Sequence, residues 1–261
     1  MSKDDDLSRI EEGLKAAADA VAPFEPGNVA FERKEVRDDP VTAADEAADE
    51  VLRRILPGDG EGWLSEGSVD DPQRLRCHRV WVVDPIDGTR EFIEGIPEWC
   101  VSIGLLEGGV PVAGGIYNPA TEEMVVGSLA DGVMLNGSPV TVTSPDTDDR
   151  VSVLASRSEI RRGEWERFQN GRFDVRPCGS VAYKMALVAA GLADATWTLV
   201  GKSEWDVAGG TALVRAAGGV VTLADGTDPP FNQPKPIFPN FVAAGPEVGR
   251  MAVEEWFQEA R

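Results

Sequence analysis

The sequence has 261 residues, of which 42% are hydrophobic, and its 25 basic and 45 acidic side chains leave a formal net charge of −20. This length and apolar content predict one large globular domain or two closely packed ones, and they exclude a disordered chain. The negative charge repels nucleic-acid phosphates, so we expect no nucleic-acid partner. No apolar run reaches about 18 residues and the segment from Met1 to Leu7 is charged, which predicts a cytoplasmic protein with no membrane span or secretory signal.

Several familiar motifs are missing from the sequence. The chain has no G-x-x-x-x-G-K-[ST], G-x-G-x-x-G or G-x-S-x-G pattern, so the usual signals of nucleotide cradles, dinucleotide folds and serine hydrolases are absent. Its three cysteines, Cys77, Cys100 and Cys178, lack C-x-x-C spacing, and we expect reduced thiols rather than a disulfide framework or a zinc site.

The first segments of the chain predict two helices and a strand, and the second helix and the strand each present an acid. Apolar residues spaced by three and four between Leu7 and Val21 predict an amphipathic helix that ends before Pro23. Thr42 can cap a second helix, which places Asp45 in the first turn, where a carboxylate also meets the helix dipole favourably. A short strand from Gly62 then presents Glu66 at its exit.

The central motif runs from Asp84 to Thr89 and follows the apolar strand Val80 to Val83. Pro85 and Gly88 favour a turn, so the carboxylates of Asp84 and Asp87 are presented together at the end of a strand. Two such anionic groups repel each other unless a proton or a cation lies between them, and oxygen ligands of this kind suit Mg²⁺. The alternative is a solvated turn, because Asp, Pro and Gly are ordinary turn formers.

The remainder of the chain predicts two kinds of sheet. Short segments rich in Val and Ile, joined by turn dipeptides, predict antiparallel strands at 100–106, 110–117, 123–127, 132–135 and 140–143. The polar stretch 144–149 is the candidate boundary between an N-terminal α+β domain, 1–145, and a C-terminal α/β domain, 146–261.

Strands and helices alternate beyond that boundary. We expect strands at 151–155, 173–175, 195–199, 220–223 and 241–244, and helices at 164–168, 181–190, 206–217 and 246–260. Asp206 then begins a helix, where plain N-capping is the alternative to a functional role.

Asp45, Glu66, the Asp84/Asp87 pair and Asp206 are five carboxylates at strand exits or helix starts, and at this point the sequence resembles the inositol monophosphatase family. The resemblance covers nearly the whole chain and is strongest at two signatures, Trp81 to Thr89 and Trp205 to Gly209. It implies a layered αβαβα fold of the sugar-phosphatase type, with an antiparallel half and a mixed-sheet half. It also implies a phosphomonoesterase that uses two or three Mg²⁺ ions, is sensitive to lithium and forms a homodimer.

The resemblance assigns roles to single residues. Glu66, Asp84, Asp87, Asp206 and the carbonyl of Ile86 are the implied metal ligands, and Asp45 and Thr89, with Glu66, are the implied catalytic residues that orient a metal-bound water. Gly88 and Thr89 would place backbone N–H groups at a helix start against the phosphate. One departure is Gly67, where the family commonly has a second acid after Glu66, and this puts the occupancy or geometry of the weakest metal site in question.

The resemblance implies that the substrate is a small phosphate ester, and the sequence leaves its identity open. Ser156-Arg157-Ser158 and Gly179-Ser180 with Lys184 resemble the bisphosphate nucleotidase branch, although Glu159 stands where that branch usually has histidine. Arg157, Ser180 and Lys184 are therefore candidate substrate-binding residues, while the two cations could equally be solvated surface charges. The similarity favours adenosine 3′,5′-bisphosphate as the substrate, followed by inositol 1-phosphate. The alternatives are histidinol phosphate, fructose 1,6-bisphosphate, or a catalytically silent metal-binding scaffold.

Overall fold

The computed structural model describes residues 3–33, 40–145, 150–169 and 171–258. The helices in this part of the chain are α1 (Lys3–Val21), α2 (Ala43–Ile55), α3 (Thr89–Glu94), α4 (Arg157–Arg161), α5 (Glu166–Gln169), α6 (Val181–Ala189), α7 (Glu204–Ala216) and α8 (Pro246–Gln258). The strands of the first half are β1 (Phe31–Arg33), β2 (Pro40–Thr42), β3 (Gly62–Ser65), β4 (Arg79–Asp87), β5 (Cys100–Glu107), β6 (Val110–Asn118), β7 (Glu123–Ser128), β8 (Gly132–Leu135) and β9 (Ser138–Val140). Those of the second half are β10 (Val151–Ser156), β11 (Phe173–Cys178), β12 (Ala195–Thr198), β13 (Lys202–Ser203), β14 (Val220–Thr222), β15 (Ile237–Phe238) and β16 (Phe241–Ala244).

Two sheets form the framework. The larger has seven strands in the order β3-β4-β5-β6-β7-β8-β9, and all its pairs are antiparallel except the parallel pair β3/β4 at one edge. The smaller has five strands in the order β11-β10-β12-β16-β14, with β10 parallel to both β11 and β12 and with antiparallel β16 pairs. This is the predicted combination of an antiparallel half and a mixed half.

The side chains of β4 alternate between two buried clusters, as the two faces of a strand require. Trp81 and Val83 share one cluster with residues of α1 and α2, which cover the outer face of the larger sheet. Val80 and Val82 share the other with residues of α6 and α7, which lie between the two sheets. A third cluster joins α5 and α8 to the outer face of the smaller sheet. The layers therefore follow the order αβαβα, and the predicted fold class is confirmed.

The second cluster joins residues from both halves of the chain, such as Val80 with Ala243. The predicted division into 1–145 and 146–261 stays a prediction, since residues 146–149 lie outside the described part of the chain. No helix in the described ranges combines the length and the apolar character that crossing a bilayer requires.

Several element boundaries differ from the sequence-based expectation. The strand predicted at 140–143 is instead 138–140, and the region 164–168 contains only the short helix α5, preceded by α4. The predicted last residues of α8, 259 and 260, lie outside the described range. β4 continues through Pro85 to Asp87, because a bulge in its pairing with β5 leaves the proline outside the regular ladder.

Glu61 ties α1 to the edge of the larger sheet. Its carboxylate accepts hydrogen bonds from the Arg9 and Arg79 side chains, from Trp81 Nε1 and from the Gly58 amide at 2.7 to 2.8 Å. Burial acts to raise the pKa of Glu61, but these hydrogen bonds outweigh it and lower the pKa from 4.5 to about 2. The folded state therefore stabilises the charged form of Glu61.

We expect Glu61→Gln to lower the free energy of unfolding at pH 7 by about 3 kcal/mol, because the folded state favours the carboxylate by that pKa shift. The contribution is complete above pH 4.5 and is lost as the pH falls through about 2. Urea unfolding of both proteins between pH 7 and pH 2.5 should therefore show two curves that converge at low pH. Glu12→Gln, on the exposed face of α1, is the control, and a constant difference across this range would contradict the prediction.

Candidate metal centre

The parallel pairing of β3 with β4 places Glu66 beside Asp84. Ser65, the last residue of β3, is in register with Val83, and the Glu66 amide donates to the Val83 carbonyl at 3.2 Å. Glu66 therefore leaves the sheet at the level where β4 reaches Asp84. Because the carboxyl ends of parallel strands meet at one edge, two acids separated by 18 positions in the chain become neighbours.

A β-bulge brings Asp84 and Asp87 into one site. Asp84 is opposite Ser102 whereas Asp87 is opposite Cys100, so β4 contains one more residue than β5 over this stretch. Residues three apart on a regular strand point to opposite faces, and the extra residue reverses that relation. Both aspartates line the same cleft and both are buried.

Asp206 comes to the site from the second half of the chain. It lies in the first turn of α7, where its Oδ2 accepts from the Ser203 amide at 2.9 Å. Carboxylate oxygens of Glu66, Asp84 and Asp206 all lie within 4.8 Å of one another. N-capping accounts for one oxygen of Asp206, which accepts from the Ser203 amide. It does not explain why the carboxylate of Asp206 also lies close to those of Glu66 and Asp84.

The electrostatics of the cluster test whether a cation fits. Burial, and then the charges of Glu66, Asp87 and Asp206, raise the pKa of Asp84 well above its ordinary value. Burial, and then the charge of Asp87, raise the pKa of Asp206 to about 7. Several carboxylates that disfavour each other's charge, with oxygen donors converging on one point, are the donor set of a hard divalent cation. The residues present therefore fit Mg²⁺.

Asp45 and Thr89 form a second unit beside the cluster. Asp45 Oδ2 accepts from the Thr42 amide at 2.8 Å and from Thr42 Oγ1 at 2.6 Å, which closes the predicted cap of α2. Its other oxygen, Oδ1, lies 3.2 Å from Thr89 Oγ1, which also donates to the Ile86 carbonyl at 2.9 Å. Burial is the largest cause of a raised pKa at Asp45. The structure thus brings a carboxylate of α2 together with a hydroxyl and a carbonyl from the turn between Ile86 and Thr89.

Asp87 is held by the N-terminus of α6. Its Oδ2 accepts from Ser180 Oγ at 2.7 Å and from the Ala182 amide. Ser180 has φ of 51°, an uncommon value for a residue with a side chain, and Lys184 Nζ donates to the Ser180 carbonyl at 2.6 Å. Lys184 is buried, and this burial lowers its pKa. Ser180 and Lys184 therefore support Asp87, and both also line the cleft.

The cleft above these acids has a volume of about 340 Å³ and contains most of the predicted site residues. Gly88 and Thr89 lie in its wall at the start of α3, as expected. Arg157 is not among the lining residues: its guanidinium forms a bidentate ion pair with Glu98, which also accepts from the Gly179 amide at 2.6 Å. Its predicted contact with substrate stays a prediction.

The cleft wall also contains cations that the sequence analysis did not assign to the site, among them Lys202 and Arg161. Lys202 precedes Asp206 by four residues at the start of β13, and its charge opposes the rise in the pKa values of Asp87 and Asp206. Arg161 ends α4 and is exposed to the cleft. The sequence signal that could have identified Lys202 as a site residue is its position just before the second signature.

The fold and this centre define a layered α/β protein with a cluster of carboxylates in a cleft. The model of the inositol monophosphatase family matches residues 6–254, and the chain belongs to that family. Among curated relatives, an inositol-1-monophosphatase from Mesorhizobium japonicum is 36% identical over 199 residues, which cover 72% of this chain and 73% of the relative. Inositol monophosphatase 1 from Solanum lycopersicum is 36% identical over 158 residues.

The match to the tomato protein spans 57% of this chain and 58% of the relative, little more than half of each. A solved structure of an IMPase from Thermotoga maritima matches the whole fold, with a TM-score of 0.83 and 25% identity, and covers 99% of this chain and 98% of that one. The resemblance inferred from the two signatures is therefore confirmed.

Proposed function

We propose that this chain is a Mg²⁺-dependent phosphomonoesterase that hydrolyses a small phosphorylated metabolite. The observation that carries the proposal is the group of Glu66, Asp84 and Asp206, whose oxygens lie within 4.8 Å of one another beside the Asp45–Thr89 pair. One set of groups would hold a cation, and the neighbouring pair would hold a water molecule.

The roles of the residues follow from their contacts. Glu66, Asp84, Asp87, Asp206 and the Ile86 carbonyl would hold two or three Mg²⁺ ions, which when bound polarise the phosphoryl group and acidify a water molecule. Asp45 accepts from Thr89 Oγ1 at 3.2 Å, so the pair can orient a water and accept its proton at Asp45. The amides of Gly88 and Thr89 would bind the phosphate oxygens at the start of α3.

A polyol monophosphate such as inositol 1-phosphate is the proposed substrate class. The named relatives from Mesorhizobium japonicum and Solanum lycopersicum support it. A bisphosphorylated nucleotide such as adenosine 3′,5′-bisphosphate is the second candidate, and Lys202 and Arg161 in the cleft wall favour it because they could neutralise a second phosphate. Arg157 and Lys184 already have partners in the fold, which reduces their support for that candidate.

The two candidates are separated by kinetics on a matched panel of inositol 1-phosphate, adenosine 3′,5′-bisphosphate, histidinol phosphate and fructose 1,6-bisphosphate. We expect inositol 1-phosphate to have the highest kcat/KM and Arg161→Met to leave it within about twofold. If the nucleotide is the substrate, Arg161→Met should lower its kcat/KM about tenfold, equivalent to 1.4 kcal/mol. Lys235→Met, an exposed lysine outside the cleft wall, is the control.

If a pure, folded preparation releases phosphate from none of these esters, the alternative of a catalytically silent metal-binding scaffold is favoured. Inhibition by lithium, a cytoplasmic location and a homodimer are further parts of the proposal. Inhibition kinetics with LiCl and sedimentation of the purified protein test the first and the last.

A further inference from the structure

Gly67 directly follows Glu66, and the structure explains why no side chain occupies this position. A Cβ atom built on Gly67 would lie 2.7 Å from both Cβ and Cγ of Asp49 and 2.9 Å from its Oδ1. Contacts this short do not occur between real atoms, so either the turn after Glu66 or Asp49 must move if residue 67 gains a side chain. The space that a residue 67 side chain would take is filled by an acid from α2.

Asp49 organises the turn that carries Glu66. Its Oδ1 accepts from Ser65 Oγ and its Oδ2 accepts from Ser68 Oγ at 2.7 Å, so the residues on both sides of Glu66 and Gly67 bind one carboxylate. Ser65 Oγ in turn accepts from the Gly67 amide at 3.1 Å, which closes the turn. Asp49 is 7% exposed, and both of its oxygens have partners.

Asp49 also links this turn to the catalytic pair. It lies four residues after Asp45, on the same face of α2, so one helix sets the position of both carboxylates. A displacement of the Ser65–Ser68 turn would move Glu66 relative to Asp84, since Glu66 lies within that turn and its amide donates to the Val83 carbonyl of β4. The carboxylate of Asp49 contacts the turn from outside the sheet, through Ser65 Oγ and Ser68 Oγ, and opposes this movement.

We infer that Asp49 is a positioning residue for the metal ligand Glu66 and that it takes the structural place of the acid that Gly67 lacks. The inference rests on the proposed function, because it concerns the affinity of the centre for Mg²⁺. Asp49 acts through the Ser65 and Ser68 hydroxyls and does not itself contact the cation.

The test measures Mg²⁺ binding by thermal melts of the purified chain over a range of MgCl₂ concentrations, alongside steady-state kinetics. We expect Asp49→Ala to raise the Mg²⁺ concentration that gives half of the stabilisation about tenfold, as loss of an outer partner of a ligand does. KM for the ester at saturating Mg²⁺ should stay within about twofold. Glu50→Ala, the exposed neighbour on α2, is the matched control and should leave both values unchanged.

A double-mutant cycle distinguishes positioning from a general loss of stability. Gly67→Ala should also weaken Mg²⁺ binding, because its methyl group collides with Cβ and Cγ of Asp49. The double variant Asp49→Gly/Gly67→Ala, in which both of these atoms are absent, should be no worse than either single variant. Asp49→Gly/Gly67→Glu should recover part of the lost affinity, since removal of the Asp49 side chain leaves room for an acid that enters from the other side. Asp49→Asn keeps the volume and should give a smaller loss, which covers the case that alanine prevents folding.

Mg²⁺ midpoints within twofold of wild type for Asp49→Ala and Asp49→Asn, or losses that multiply in the double variant, would overturn the inference while the proposed function stood. A wild-type chain that shows neither stabilisation by Mg²⁺ nor phosphate release would overturn both. A wild-type response to Mg²⁺ together with weakened binding in Asp49→Ala supports both.

Discussion

Asp84→Asn is expected to reduce Mg²⁺-dependent phosphate release by at least about 10³-fold, equivalent to roughly 4 kcal/mol of transition-state stabilisation. Asp84 is 2% exposed and lies at the centre of the acids that we propose as ligands. Asparagine keeps the shape of the side chain but removes the charge that a divalent cation needs. Initial rates at saturating MgCl₂, compared with Asp59→Asn on the exposed loop after α2, measure the effect.

The same substitution should stabilise the metal-free protein. Burial and the neighbouring carboxylates raise the pKa of Asp84, which means that the folded state disfavours its charge when no cation is present. A neutral side chain relieves this repulsion, and Tm in EDTA at pH 8 should rise by about 2 to 4 °C. A lower Tm in EDTA, or activity close to that of wild type, would show that the cluster is not a cation site.

Asp84 suits this test better than Asp87. Asp87 accepts from Ser180 Oγ and from the Ala182 amide, so Asp87→Asn would also disturb the junction between β4 and α6. Asp84 Oδ1 accepts only a local hydrogen bond, from the Ile86 amide at 3.1 Å, among the contacts of the described residues. Its substitution therefore changes charge with little change of structure.

The carboxylates could be predicted from the sequence because each follows a local signal. Asp84 and Asp87 follow an apolar run, Asp45 follows a capping threonine and Asp206 begins a helix, so a few neighbouring residues determine each position. That these carboxylates lie close together in space could be expected from the order of the strands and from the family signatures. By contrast, the ion pair of Arg157 with Glu98 joins residues 59 positions apart, and no local pattern distinguishes this arginine from one that binds substrate.

The short pairs β1/β2 and β13/β15 were also missed, and the reason is again physical. Strands of two or three residues have no measurable alternation and form only because tertiary contacts hold the two segments together. The role of Gly67 also depends on tertiary contacts that no local sequence pattern reveals. The sequence shows that an acid is missing after Glu66, but only the packing of α2 against the turn reveals that Asp49 occupies the space.

Gly114→Ala is expected to destabilise the fold by about 3 kcal/mol and to weaken Mg²⁺ binding as well. α7 packs directly on the larger sheet at this point: a Cβ atom on Gly114 would lie 2.5 Å from the carbonyl oxygen of Gly209, three residues after Asp206. Because the atom that the new methyl group meets belongs to the backbone, no change of side-chain rotamer can relieve the contact. The helix α7 must therefore move away from the sheet. Because α7 carries Asp206 and β4 carries Asp84, that movement separates two of the proposed ligands.

The measurement is urea unfolding in EDTA for stability and melts in MgCl₂ for binding. Gly171→Ala is the matched control, because a Cβ atom there meets nothing within 4 Å, and its free energy of unfolding should change by less than about 0.5 kcal/mol. Loss of stability with an unchanged Mg²⁺ midpoint would mean that α7 shifts at Gly209 while its first turn, which carries Asp206, stays in place. Loss of both would mean that the glycine contact between helix and sheet sets the distance on which the metal centre depends.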